Sequence, residues 1–240
     1  MIPFWQALVN FFFPPRCLLC GETLKEFQDD RPCPLCFSQM KFFSHPRCPR
    51  CGLVFMTASG DDHLCSGCLN EERYFTKARA IGPYEGVLLE AISRFKYQKV
   101  SRLAKPLGTL LAEYEDPEFP FSEFDLLLPV PLHSKRLRER GFNQSLLLAG
   151  RVSRKHFISL NFTSLQRTRH TDPQTQLSGS ERQKNIRGAF EVRRPEAIRG
   201  KKILLIDDVF TTGATVQECA KVLLKAGCKR VDVLTLARVL

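Results

Sequence analysis

Residues 202–215 read Lys-Ile-Leu-Leu-Ile-Asp-Asp-Val-Phe-Thr-Thr-Gly-Ala-Thr. Two adjacent carboxylates, Asp207 and Asp208, precede three hydroxyls, at Thr211, Thr212 and Thr215, and one glycine, Gly213. Hydroxyls beside a glycine that lets backbone N–H groups approach closely make an anion site. A helix starting there adds its unpaired N–H groups and the positive end of its dipole, and the whole is sized for a phosphate monoester. The carboxylates would repel that phosphate. They suit the neutral part of the same molecule, vicinal hydroxyls, which donate hydrogen bonds to carboxylates. A phosphate at one end and a diol at the other describe a ribose 5-phosphate. The competing reading is a polar helix-capping turn, which has no need of two acids and three threonines.

A second constellation lies upstream. Eight of the ten cysteines form four Cys-x-x-Cys pairs: Cys17/Cys20, Cys33/Cys36, Cys48/Cys51 and Cys65/Cys68. A two-residue spacer brings two thiolates onto one ion from a single tight turn, and two such turns complete a tetrahedral four-cysteine site. Gly21 and Gly52 follow their pairs, and Pro34 and Pro49 stiffen two others. The expectation is two structural zinc ions held by sequential pairs, 17/20 with 33/36 and 48/51 with 65/68. An interleaved cross-brace has the same spacing. With four cysteines at each ion, no coordination position is open to a substrate. His45 and His63 read as surface residues. Cys219 and Cys228 read as small buried apolar residues.

These groups need elements to position them. Ile203–Ile206 is short, apolar and non-alternating, as in a strand buried on both faces of a parallel sheet. The acids then fall at its carboxyl end, where open α/β sheets bind ligands. Val216, Ala220, Leu223 and Leu224 mark the apolar face of the next helix. Further strands are expected at 77–84, 124–130, 165–169, 189–192 and 229–238. Helices are expected at 86–97, 101–115, 143–156 and 178–187. This alternation predicts an α/β fold, a mostly parallel sheet flanked by helices, with a small N-terminal double zinc ribbon. The expected domains are an apolar N-terminal helix over 1–16, the ribbon over 17–72 and the α/β domain over 77–240. Ile2–Phe13 lacks a basic leader and a small-residue cleavage site, so it reads as a helix packed on the body, with a partner-docking face as the alternative. No apolar run reaches the ~18 residues of a membrane span.

The net charge of +11 is concentrated. Residues 133–202 hold 17 Lys and Arg against 5 Asp and Glu, a net of +12, and the rest of the chain nets −1. That span contains two polar loops. The first, Pro129–Gln144, follows an expected strand, so it opens on the same sheet edge as Asp207. Pro131, Leu132, His133, Lys135, Arg136 and Arg140 there could capture a pyrophosphate leaving group, with Arg138 beside them and Gly141 for a tight turn. The second, Arg167–Leu177, is long, polar and basic. Arg167, Arg169 and Gln174, with Arg182 beyond, suit a flexible loop that closes over a reacting centre and excludes water. A span this basic also suits single-stranded DNA.

Ile203–Thr215 resembles the phosphoribosyl-pyrophosphate signature of type I phosphoribosyltransferases. Together with the cysteine pairs, Pro129-Val-Pro-Leu-His133, Arg140-Gly-Phe-Asn-Gln144, the Arg167 and Arg182 segments and nearly the whole length, the chain resembles the ComF family. That family includes proteins linked to DNA uptake in competent bacteria. The resemblance implies a double zinc ribbon joined to a type I phosphoribosyltransferase fold in the bacterial cytoplasm. The implied ligand is phosphoribosyl pyrophosphate with Mg²⁺: residues 211–215 cradle the 5-phosphate, and Asp207 and Asp208 hold the ribose and act in catalysis. Competence or DNA-processing proteins are the implied partners. The rival expectation is a nucleotide-sensing or single-stranded-DNA-binding adaptor without turnover, because no base-binding hood can be recognised.

Overall fold

The computed structural model describes residues 12–24, 31–55, 60–170 and 185–240. Residues 1–11 of the expected N-terminal helix, Gln174, Arg182 and most of the expected helix over 178–187 lie outside them. The helix expected to reach 16 does not, since 13–16 are not helical, with Pro14 and Pro15 there and Arg16 bridged to Thr23.

Five parallel strands form the main sheet: β1 (Ala78–Pro83), β2 (Leu126–Pro129), β3 (Ser159–Leu160), β6 (Lys202–Phe210) and β7 (Arg230–Arg238), in the order β1-β7-β6-β2-β3. A separate antiparallel pair joins β4 (Leu165–Arg167) to β5 (Phe190–Val192). Alternate residues of the central strands enter two cores. Leu127, Leu204, Ile206, Leu234 and Leu236 pack on one face. There they meet helices α3 (Gly86–Tyr97), α4 (Ala104–Ala112) and α6 (Gln144–His156), through Ile92, Phe95, Leu111 and Leu148. Leu126, Leu128, Ile203, Leu205 and Val233 pack on the other face, against Val216, Ala220 and Leu223 of α7 (Ala214–Lys225). Ile203–Ile206 is wholly buried, as its unbroken apolar run requires. Burial of such a side chain is worth about 1.5–3 kcal/mol each.

Short helices α1 (Pro34–Ser38) and α2 (Ser66–Asn70) each end a cysteine cluster. Cys17, Cys33 and Cys36 join the first core, whereas Cys48, Cys51 and Cys68 join the second.

Three expectations change. The helix expected over 101–115 is a single 3-10 turn, Ser101–Leu103, followed by α4. Pro106 lies in the first turn of α4, where a missing N–H is tolerated. The basic stretch after β2 is a helix, α5 (Ser134–Arg140), instead of a loop. Its residues are good helix formers, His133 caps it, and Gly141 ends it at φ 87°. Finally, β6 runs through the acid pair to Phe210 instead of stopping at Ile206.

Candidate functional site

The length of β6 makes the crevice. On one side β6 pairs with β7 as far as Phe210↔Arg238. On the other, its pairing with β2 ends at Ile206↔Pro129, where Pro129 and Pro131 turn the chain away. Strand order also reverses between β2 and β6, the switch point at which open α/β sheets bind ligands. Asp207 and Asp208 occupy that opening.

The two acids are not in open solvent. Asp208 is 6% exposed, and its Oδ1 lies 2.8 Å from Nζ of Lys96 on α3. Asp207 Oδ1 accepts from Ser145 Oγ at 2.9 Å and from the Asp208 N–H at 3.0 Å. Burial, and then the charge of Asp208, push Asp207 up to about 7. Lys96 is raised: burial works against its charge, but Asp208 outweighs burial.

Beyond β6, Gly213 is the left-handed residue that opens α7, at φ 80°. A Cβ at that position would lie 2.6 Å from the Phe210 ring. Thr212 Oγ1 accepts from the Ala214 N–H at 3.4 Å, and Thr211 and Thr215 flank this turn, both half-buried. The N-cap residue Gly213 itself supplies no side-chain bond, and the positive end of the α7 dipole lies at this turn.

Pro131 and Leu132 lead from β2 to His133, whose Nδ1 accepts from the Lys135 N–H at 3.3 Å. Arg136 pairs with Glu139 at 3.9 Å. Arg140 donates to Gln144 Oε1 at 2.8 Å and lies over the Tyr97 ring. The structure brings this segment beside the β4 end. The His133 and His170 rings lie 5.3 Å apart. Burial, then His170, Arg167, Arg138 and Lys135, hold His133 below its ordinary value, which marks a positive local field. Arg167 lies over the Phe190 ring at 5.5 Å; burial lowers it, and Asp207 is among the groups that counter this. Arg169 donates to the carbonyls of Asn185 and Arg187 at 2.7 and 2.8 Å.

Sequence reasoning missed Lys96 and Ser145, and it placed Gln144 in the Arg140–Gln144 motif without a role. Lys96 is one lysine in the last turn of an amphipathic helix and carries no signal of its own. Ser145 directly follows the Arg140–Gln144 motif and was within reach of the same reading.

The eight cysteines divide as the sequential pairing requires: Cys17, Cys20, Cys33 and Cys36 in one cluster, Cys48, Cys51, Cys65 and Cys68 in the other. In each, all four Sγ atoms lie within 4.8 Å of one another. A Zn–S bond near 2.3 Å puts tetrahedral sulfurs about 3.8 Å apart. Sγ separations of 3.9 Å (Cys17–Cys36), 3.7 Å (Cys20–Cys33) and 3.6 Å (Cys51–Cys65) fit it. The N–H groups of Leu19, Cys36 and Cys51 point at Cys17, Cys33 and Cys48 sulfurs, the bonds that orient ligating thiolates. Burial and neighbouring thiols push Cys36 and Cys68 upward, so four thiolates coexist only around a cation. Both clusters fit structural zinc. His45 and His63 stand outside them: His45 faces Asp62, and His63 stacks on Phe55.

Among the described residues no helix is long and apolar enough to cross a membrane. The double zinc ribbon family matches residues 8–71, and the phosphoribosyl transferase domain family matches residues 143–240. Competence protein F of Haemophilus influenzae is 32% identical, over 95% of this chain and 98% of its own. DNA utilization protein YhgH of Escherichia coli K12 is 33% identical, over 80% and 84%. Competence protein ComFC of Bacillus subtilis is 28% identical, over 88% and 89%.

Proposed function

The chain belongs to the competence protein F (ComF) family, and from that premise we propose that its β2/β6 crevice binds phosphoribosyl pyrophosphate with Mg²⁺. The observation that carries this reading is one continuous run: an acid pair in the sheet opening, then a threonine-rich turn and a helix start built on Gly213. In this assignment Thr211, Thr212, Gly213, Ala214 and Thr215 hold the 5-phosphate, and Asp207 and Asp208 hold the ribose hydroxyls. Pro131, Leu132, His133, Lys135, Arg136 and Arg140 line the pyrophosphate side, and Arg167, Arg169, Gln174 and Arg182 are assigned to the reacting centre, the last two lying outside the described residues. Residues 17–72 form the ribbon module and 77–240 the transferase-like domain, in the cytoplasm.

If turnover occurs, the bond from ribose C1 to the pyrophosphate oxygen breaks, and its electrons leave with pyrophosphate. An acceptor lone pair forms the new bond to C1. Asp207 and Asp208 would stabilise positive charge developing at C1, and the basic side chains would stabilise the leaving group. Among the described residues only the two cysteine clusters close on a metal by themselves. A magnesium ion here would therefore draw its ligands mainly from pyrophosphate, ribose and water.

Calorimetric titration of phosphoribosyl pyrophosphate with Mg²⁺ tests the reading, and absence of binding refutes it. Pyrophosphate release with a panel of nucleobases and amines then separates an enzyme from a sensor.

A second activity is supported by the positive field around His133 and the +12 span: non-specific binding of single-stranded DNA. It fits the DNA utilization named for the E. coli relative, and DNA-processing proteins are then natural partners. Each neutralised phosphate contributes a slope of about −0.7 in log K against log salt on single strands. Salt-independent binding, or binding that survives neutralising Arg136, Arg138 and Arg140 together, would reject it.

A further inference from the structure

The second cysteine cluster lies directly behind the Thr-Gly turn. Arg238, the last residue of β7, donates from Nη1 to the Cys51 carbonyl at 2.7 Å. Its guanidinium also lies over the Phe210 ring, 4.5 Å from the centroid. Phe210 in turn fills the space beside Gly213, so closely that a Cβ there would be 2.6 Å from its ring.

A second connection runs through α7. Gln217 donates its N–H to the Gly213 carbonyl at 2.9 Å. Its side chain accepts from the Tyr74 N–H at 3.0 Å and donates to the Glu72 carbonyl at 2.7 Å. Glu72 and Tyr74 lie just past α2, which carries Cys68. Arg50 on the other knuckle donates to the Cys68 carbonyl at 3.3 Å, so the two halves of the cluster are themselves tied. The first cluster packs in the core on the opposite face of the sheet.

We infer that the second four-cysteine site and the 211–215 turn form one mechanical unit, with Arg238 and Gln217 as the positioning residues between them. A charge-assisted hydrogen bond removed from water is stiff and directional, and close-packed contacts transmit displacement. Metal at Cys48, Cys51, Cys65 and Cys68 therefore fixes the turn, and a phosphate held in the turn keeps the knuckle closed. Linkage makes the two effects reciprocal. The ligand half of this statement rests on the phosphoribosyl pyrophosphate reading, but the mechanical half does not.

Hydrogen–deuterium exchange of the full chain separates the two. The Cys51 and Gly52 amides report the second knuckle, since they bond the Cys48 sulfur and carbonyl. The Leu19 and Gly21 amides report the first knuckle in the same way at Cys17. In the first arm a chelator strips zinc from the ligand-free protein. Exchange across 211–217 should then quicken at least about fivefold, the lower end of ordinary coupling, and markedly more than in the zinc-loaded Cys20→Ser variant, which empties the first site alone. In Arg238→Met, and in Gln217→Ala should the former fail to fold, stripping should quicken the turn less than in the wild type. In the second arm phosphoribosyl pyrophosphate with Mg²⁺ is added to the zinc-loaded wild type. Cys51 and Gly52 should slow by a similar factor, and Leu19 and Gly21 should not change. A turn that ignores zinc removal overturns the coupling whatever the ligand does. A turn protected by ligand while the second knuckle is not overturns reciprocity. If the wild type does not bind the ligand, the phosphoribosyl reading fails and the chelator arm alone decides the coupling.

Discussion

Lys96 Nζ lies 2.8 Å from Asp208 Oδ1, joining the last turn of α3 to β6 inside the candidate site. Their side chains are 17% and 9% exposed, so removing either partner leaves the other group buried without its counter-charge. The pair also makes the two acids unequal. Asp208 has an ammonium against it, whereas Asp207 receives only neutral donors, from Ser145 and from the Asp208 backbone. The acid pair is therefore asymmetric before any ligand arrives.

Lys96→Met should destabilise the protein by about 3 kcal/mol, because it leaves a carboxylate buried without its partner. Lys96→Met combined with Asp208→Asn should recover much of that loss, since no orphaned charge remains. Urea unfolding at pH 7 of the wild type and both variants gives the comparison. A double variant no more stable than the single one would show that Lys96 acts through packing of its stem.

What was legible in the sequence follows from local chemistry. Four Cys-x-x-Cys pairs specify knuckles because the spacer fixes the geometry, but the spacing left sequential and interleaved pairing equally open, and the structure groups them sequentially. The unbroken run Ile203–Ile206 specified a strand buried on both faces. The Lys96–Asp208 contact was not legible. It joins residues 112 apart in the chain, and a lysine in the last turn of a helix normally faces water. The acids were expected at the carboxyl end of a short strand. Asp208 is buried and Asp207 half-buried, because β7 is long enough to keep pairing with β6 to Phe210, while β2 stops at Pro129. Helix α5 was hidden because only Leu137 breaks its run of polar residues, leaving no apolar period to detect.

Asp207 sets a pH dependence. Its pKa of about 7 in the folded chain exceeds the ordinary carboxylate value of ~3.9. Between these values the folded state holds a proton that the unfolded state has released, so stability falls as pH rises. The contribution is complete below pH ~4 and is lost as pH rises through ~7, to a total of at most about 4 kcal/mol. Asp207→Asn should flatten this part of the profile. Denaturant midpoints of both proteins from pH 4.5 to 8 provide the test, and parallel profiles would mean that Asp207 titrates normally. Ligand affinity should move the other way, increasing as pH rises through ~7 and Asp207 ionises to accept ribose hydroxyls.

Protein purified without added metal should carry close to two zinc ions per chain by elemental analysis. One or none would reject the reading of both clusters as structural sites. Cys33→Ser should lower the content to about one and loosen the first ribbon, because metal binding supplies the folding free energy of such small modules. Cys33 lies in the first core with Leu88 and Ile92, so some loss of stability of the α/β body should accompany it.

Gly213→Ala tests the phosphate turn. Two separate obstacles meet there: φ is 80°, a region that costs an ordinary residue about 1–2 kcal/mol, and the new Cβ would lie 2.6 Å from Phe210 Cζ. Phe210 is held by Arg238 above its ring and by Phe75 edge-on at 6.0 Å, so the turn gives way before the ring does. Affinity for phosphoribosyl pyrophosphate should fall at least about tenfold, equivalent to 1.4 kcal/mol. Gly213→Asn separates the causes, since Asn accepts the left-handed region but still brings a Cβ. If the clash dominates, Gly213→Asn should bind as poorly as Gly213→Ala, and adding Phe210→Leu should restore part of the affinity. If backbone strain dominates, Gly213→Asn alone should bind nearly as well as the wild type. Full affinity in Gly213→Ala, with unchanged thermal stability, would remove this turn from the binding site.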